Sequence, residues 1–136
     1  MAIVKQYKGL LEAALAAAET AHAPYSNFHV GASVLSSEGE IFSGANVESA
    51  SYSLTLCAER VAIFKAVTSG HKKFTALAVT ADDKKIPFPC GACLQVYSEF
   101  VNLNAPIFVR EASKKKWHQF TLGQLLTKPF SFKKNK

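Results

Sequence analysis

The chain has 136 residues, 49% of them hydrophobic and 19% charged, and a formal net charge of +6. That length favours one domain over 1–136 with a real core, and the composition excludes a disordered chain. No run approaches the ~18 apolar residues a membrane-spanning helix needs.

Leu10–Ala23 is Ala-rich and superficially like a secretory leader, but Glu12 and Glu19 interrupt it, so a soluble helix is expected. Its apolar positions Leu10, Leu11, Ala14, Leu15 and Ala18 recur at helical spacing, which predicts an amphipathic helix over Tyr7–Ala21. Pro24 ends it, and Tyr25-Ser26-Asn27 reads as a turn. Phe28–Leu35, with His29 inside it, and Glu40–Ala45 alternate around Ser36-Ser37-Glu38-Gly39, a hairpin pattern. A helix is expected over Cys57–Val67, stopped by Gly70. Phe74–Ala81 reads as a buried strand, and Pro89 sets up a helix from Cys90 to about Val101. Ala105–Arg110 and Lys116–Phe120 suggest two more strands, with a short helix over Leu122–Leu126. This order implies an α/β fold, a three-layer α-β-α sandwich around a mixed five-stranded sheet with helices on both faces.

Residues 114–136 hold seven lysines and no acid, so residues 1–113 sum to −1. Lys114, Lys115, Lys116 and Lys128, with Lys133, Lys134 and Lys136, lack aromatic interleaving. They read as a solvated turn and a frayed basic tail at 131–136 rather than a nucleic-acid contact.

The three cysteines fall in two motifs, Cys57-Ala58-Glu59 and Pro89-Cys90-Gly91-Ala92-Cys93. An odd count with no sign of secretion suggests reduced thiols in a cytoplasmic protein. Cys90 and Cys93 are one helical turn apart and Cys57 opens another helix, where free N–H groups favour thiolates. Three protein ligands leave a fourth tetrahedral position for water, the arrangement of a catalytic zinc, and Glu59 is placed to handle that water's proton. Two other readings stand beside this one: a Cys-x-x-Cys dithiol oxidoreductase, and a structural zinc or nucleic-acid-binding module.

The motif pair is the specific signature of zinc deaminases, and with Phe28-His29-Val30-Gly31-Ala32, Asn46-Val47-Glu48, Ala50-Ser51-Tyr52-Ser53 and Leu125-Leu126 followed by Phe130 the chain resembles the small homotetrameric cytidine deaminases. The resemblance implies one Zn²⁺ per subunit on Cys57, Cys90 and Cys93, with Glu59 shuttling protons between water, pyrimidine N3 and departing ammonia. It implies hydrolysis of cytidine and 2′-deoxycytidine to uridine and 2′-deoxyuridine in pyrimidine salvage. Asn46 and Glu48 would hold the ribose 3′-hydroxyl, Phe28 would face the pyrimidine, and the Ala58 N–H would meet its carbonyl. Ala50, Tyr52 and Phe130 would reach a neighbouring subunit's site in a homotetramer with shared active sites, acting on a small molecule with no nucleic-acid or membrane partner. A related deaminase of another cytosine nucleoside, of the antibiotic type, is the nearest alternative. Three thiolates with Zn²⁺ sum to −1, and relatives commonly offset this with two arginines. Here Arg60 fills one place and Leu94 the other, so electrostatic support is expected from Arg60 and the helix N-termini. Ser49 and Tyr97 also depart from the family pattern.

Overall fold

A computed structural model describes residues 5–84 and 86–132. The helices are α1 (Lys8–Ala18), α2 (Ala58–Thr68), α3 (Gly91–Ser98) and α4 (Leu122–Leu125). The strands β1 (Val30–Ser36), β2 (Ile41–Ala45), β3 (Phe74–Ala81), β4 (Pro106–Glu111) and β5 (Lys116–Thr121) form one sheet ordered β2-β1-β3-β4-β5. Only β3 and β4 run parallel; the other neighbours are antiparallel. Every expected element is present.

Alternation along the central strands builds two cores. Ala76 and Ala78 of β3 turn to α1, where they pack with Leu10, Leu11, Ala14 and Phe108. Leu77 and Val79 turn the other way, toward Ala62, Ile63, Leu94 and Tyr97 of α2 and α3. A strand covered on both faces reads as a continuous apolar run, as Phe74–Ala81 does. The sheet is thus the middle of three layers, with α1 on one side and α2 and α3 on the other.

Two glycines set how closely the helices approach. A Cβ on Gly31 would lie 2.1 Å from the Ala14 carbonyl oxygen of α1, and one on Gly44 would lie 2.6 Å from the Ala62 nitrogen of α2. Both separations are impossible for real atoms, so each helix backbone rests directly on the sheet.

Three boundaries differ from expectation by two or more residues, and at each a side chain bonds the backbone. The first helix ends at Ala18 rather than Ala21, and the Thr20 hydroxyl donates to the Ala17 carbonyl (2.7 Å) in the turn that follows. β1 begins at Val30, because Asn46 Oδ1 accepts from the Val30 N–H (2.9 Å) and Asn46 Nδ2 donates to the Phe28 carbonyl (2.7 Å). His29 therefore lies outside the strand, tied to Asp82 through its backbone N–H (3.0 Å) and Nδ1 (2.6 Å). The third helix ends at Ser98, well before Val101, with the Ser98 hydroxyl donating to the Gln95 carbonyl (2.6 Å).

The described lysines of the basic segment, Lys114, Lys115, Lys116 and Lys128, are all exposed. Lys133, Lys134 and Lys136 lie outside the described residues, as does most of the expected 131–136 tail. Among the described residues no helix is long and apolar enough to cross a membrane.

Candidate active site

Buried positions on α2 are Ala58, Glu59, Ala62, Ile63 and Ala66, one stripe at helical spacing. Glu59 is the single acid in that stripe, so the helix that buries its alanines carries a carboxyl into the interior. It is 4% exposed. Burial is the largest influence on it and pushes its pKa up to about 7; the Cys57 charge adds to the rise, while its own backbone N–H and Arg60 oppose it.

Cys57 and Cys90 are the residues immediately before α2 and α3, in extended conformation, and neither uses its side chain to cap its helix. Both sulfurs are free to turn away from the helix axes, and Cys93 lies one turn into α3. Cys57 Sγ is 3.8 Å from Cys90 Sγ, and Cys90 Sγ is 3.5 Å from Cys93 Sγ. All three sulfurs lie within 4.8 Å of one another. Zinc bonded tetrahedrally to sulfur at ~2.3 Å places its ligand sulfurs ~3.8 Å apart, so the donor set and its spacing fit zinc. A third sulfur beside the Cys-x-x-Cys pair also separates this arrangement from a simple dithiol.

The cluster stabilises negative charge before any ion binds. The Cys57 thiol is drawn down to about 5, chiefly by the hydrogen bond from Cys93, with Arg60 and Cys90 helping against the cost of burial. Cys93, which keeps its proton to make that bond, is pushed up. Arg60 reaches Cys57 Sγ at 3.5 Å, while its buried Nε has no hydrogen-bond partner among the described residues.

Cys57 and Cys90 line a cavity of about 270 Å³ whose walls include Phe28, Asn46, Glu48, Ala58, Glu59 and Phe88. Five of these six were legible in the sequence; Phe88 was not. Its signal was its place in Pro87-Phe88-Pro89, directly before a metal-ligand motif.

Residues 4–108 match the family model described as the cytidine and deoxycytidylate deaminase zinc-binding region. The cytidine deaminase of Sporosarcina psychrophila is 46% identical over 115 residues, covering 85% of this chain and 84% of that protein. The chain belongs to the cytidine deaminase family. The crystal structure of the cytidine deaminase from Burkholderia pseudomallei aligns with a TM-score of 0.83 at 41% identity, covering 90% of this chain and 97% of that one. The Mycobacterium tuberculosis enzyme aligns at 0.79 and 34% identity, covering 93% and 98%. The Cys57/Cys90/Cys93 cluster of this cytidine deaminase fits one zinc ion per chain.

Asn46 and Glu48 both face the cavity, but each also braces the segment that carries Phe28. Glu48 accepts from the Tyr25 and Ser26 N–H groups (3.1 Å each) and from the Ser26 hydroxyl. The Ser26 hydroxyl is the largest influence on Glu48 and keeps its carboxyl below the usual range, so it is ionised at neutral pH. Asn46→Ala would leave the Val30 N–H and Phe28 C=O without partners. It is expected to lower the unfolding free energy by about 1–3 kcal/mol in urea denaturation. An unchanged midpoint would show that Glu48 and Asp82 hold the segment without Asn46.

Ala50, Tyr52 and Phe130 do not reach the cavity of their own chain. Ala50 is exposed, Tyr52 is 61% exposed against Tyr25 at 6.3 Å, and Phe130 is 64% exposed. Leu94 is buried in the larger core, so the place of the second arginine is occupied by packing, and Arg60 is the cation on the sulfurs. Ser49 closes its own loop, its N–H donating to the Thr55 hydroxyl (3.0 Å) and its hydroxyl accepting from the Ser51 N–H (3.2 Å). Tyr97, fully buried, bonds the Pro106 carbonyl at 3.3 Å and so ties α3 to β4.

Proposed function

We propose that Glu59, working beside the three-sulfur centre, hydrolyses the amino group of cytidine and 2′-deoxycytidine to give uridine or 2′-deoxyuridine and ammonia. The reaction class, zinc-dependent cytidine deamination, is that of the family and of the relatives named above. When bound, zinc lowers the pKa of water and polarises it for attack on the pyrimidine. Cys57, Cys90 and Cys93 hold the ion, and Arg60 with the two helix N-termini offsets their charge. Glu59 takes one proton from the water and passes it to N3, then takes the remaining proton of the hydroxyl added at C4 and delivers it to the amine as the C4–N bond breaks. Its carboxyl near neutrality suits both directions of transfer.

Asn46 and Glu48 hydrogen-bond the ribose 3′-hydroxyl, Phe28 packs on the pyrimidine, and the Ala58 N–H, free at the start of α2, binds its carbonyl. Among the described residues no lysine or arginine lines the cavity, and ionised Glu48 repels phosphate, which favours nucleosides over nucleotides. The chain is a single cytoplasmic domain serving pyrimidine salvage. It assembles as a homotetramer in which Ala50, Tyr52 and Phe130 complete a neighbour's site. Their exposure, and a cavity slightly below the ~300 Å³ of ordinary small-molecule sites, support that arrangement.

The burial of Glu59 in the same cavity as the sulfurs carries this reading. Ammonia release from cytidine, measured with zinc content per chain, tests it. One zinc per chain with turnover of cytidine is expected. Turnover confined to another cytosine nucleoside would replace the substrate, and zinc without any deamination would overturn the reading.

A further inference from the structure

Helix α3 has two working faces. Cys93 is fully buried toward the sulfur cluster, and Gln95, two residues on and about 200° around the helix, turns the other way. There the Gln95 amide forks onto both backbone polar groups of one residue of the C-terminal segment. Its Nε2 donates to the Phe130 carbonyl (2.9 Å) and its Oε1 accepts from the Phe130 N–H (3.0 Å). Apolar burial contributes little at this point: Phe130 is 64% and Phe132 90% exposed, their rings meeting each other at 5.1 Å. Beside them a cavity of about 500 Å³, bordered by Leu103, Leu122 and Pro129, leaves the ring room to turn.

We infer that Gln95 is a positioning residue, holding the Phe130 backbone on both sides of its Cα so that its ring is presented outward for a neighbouring subunit's pocket. The inference rests on the proposed role of Phe130. It makes α3 a common mount: the helix and its N-terminal cap carry Cys93 and Cys90 toward their own chain's sulfur cluster, and its other side holds the aromatic lent to the next chain. Substrate closure in one subunit is thereby tied to the helix that carries another subunit's metal site.

The test compares zinc-loaded wild type with Gln95→Leu, Gln95→Glu, Phe130→Ala and the double variant Gln95→Leu/Phe130→Ala. Zinc content, thermal midpoint and assembly state confirm that each is folded. Losing both bonds of the fork is expected to raise KM for cytidine roughly tenfold while kcat stays within about twofold. Gln95→Glu, which keeps the oxygen that accepts from the Phe130 N–H, should recover part of that loss. The double variant should be no worse than Phe130→Ala, because Gln95 acts through Phe130. Amide exchange at Phe130 should quicken in Gln95→Leu. Wild-type KM in Gln95→Leu beside a raised KM in Phe130→Ala, or effects that multiply in the double variant, would overturn the inference. Unchanged exchange at Phe130 would overturn it too. An unchanged KM in Phe130→Ala itself would instead sink the pocket-closing role assigned to Phe130.

Discussion

Glu59→Gln is expected to reduce kcat for cytidine by roughly 10³–10⁴-fold while the protein stays folded and keeps its zinc. Glutamine matches glutamate in volume, so the buried stripe of α2 stays packed around it. What disappears is a group able to accept and return a proton. Burial raises the carboxyl to about 7, which favours a group that can both take up and give back a proton. Because Glu59 supplies no sulfur and its loss leaves Cys57, Cys90 and Cys93 intact, metal analysis of the variant should match wild type. A variant that retains turnover would remove Glu59 from the mechanism; one that has lost its zinc would make it a structural support.

Cys93→Ser is expected to empty the metal site and with it the activity. Cys93 is fully buried and is one of the three clustered sulfurs, so its loss removes one of the three ligands. Serine is a far poorer zinc donor than thiolate, and two cysteines do not make a catalytic site. Zinc should fall from one ion per chain to a small fraction, and deamination should fall with it. Because binding at a preformed site stabilises the folded state, wild type treated with a strong chelator should also lose thermal stability. Cys93→Ser should show no such response. Full zinc occupancy in this variant would overturn the three-sulfur site.

Much of the site was legible before any coordinates. The Cys57 and Cys90 motifs advertise themselves because a ligand before a helix and another one turn in are local relations, fixed by helical geometry. The strands were equally readable, since burial on both faces leaves a continuous apolar signature in Phe74–Ala81. What escaped depends on contacts distant along the chain. Gln95 meets Phe130 across 35 residues with no motif to announce it. Asn46 and Glu48 showed their polarity but not their second task of bracing residues 25–30. His29 looked like a strand residue because alternation cannot reveal that Asn46 supplies the partners a longer β1 would have used. Phe88 has no sequence signal beyond its two flanking prolines, which do not reveal the cavity beside it.

The bare contacts at Gly31 and Gly44 divide mutational tolerance between the two sides of the sheet. A side chain at Gly31 must lift α1, which bears no site residue, so variants there should fail by instability alone. A side chain at Gly44 must lift α2 at Val61 and Ala62, two and three residues from Glu59. Selection for catalysis therefore polices Gly44 even in a background stabilised enough to forgive the lost packing, whereas Gly31 could drift once a compensating change restores the fold.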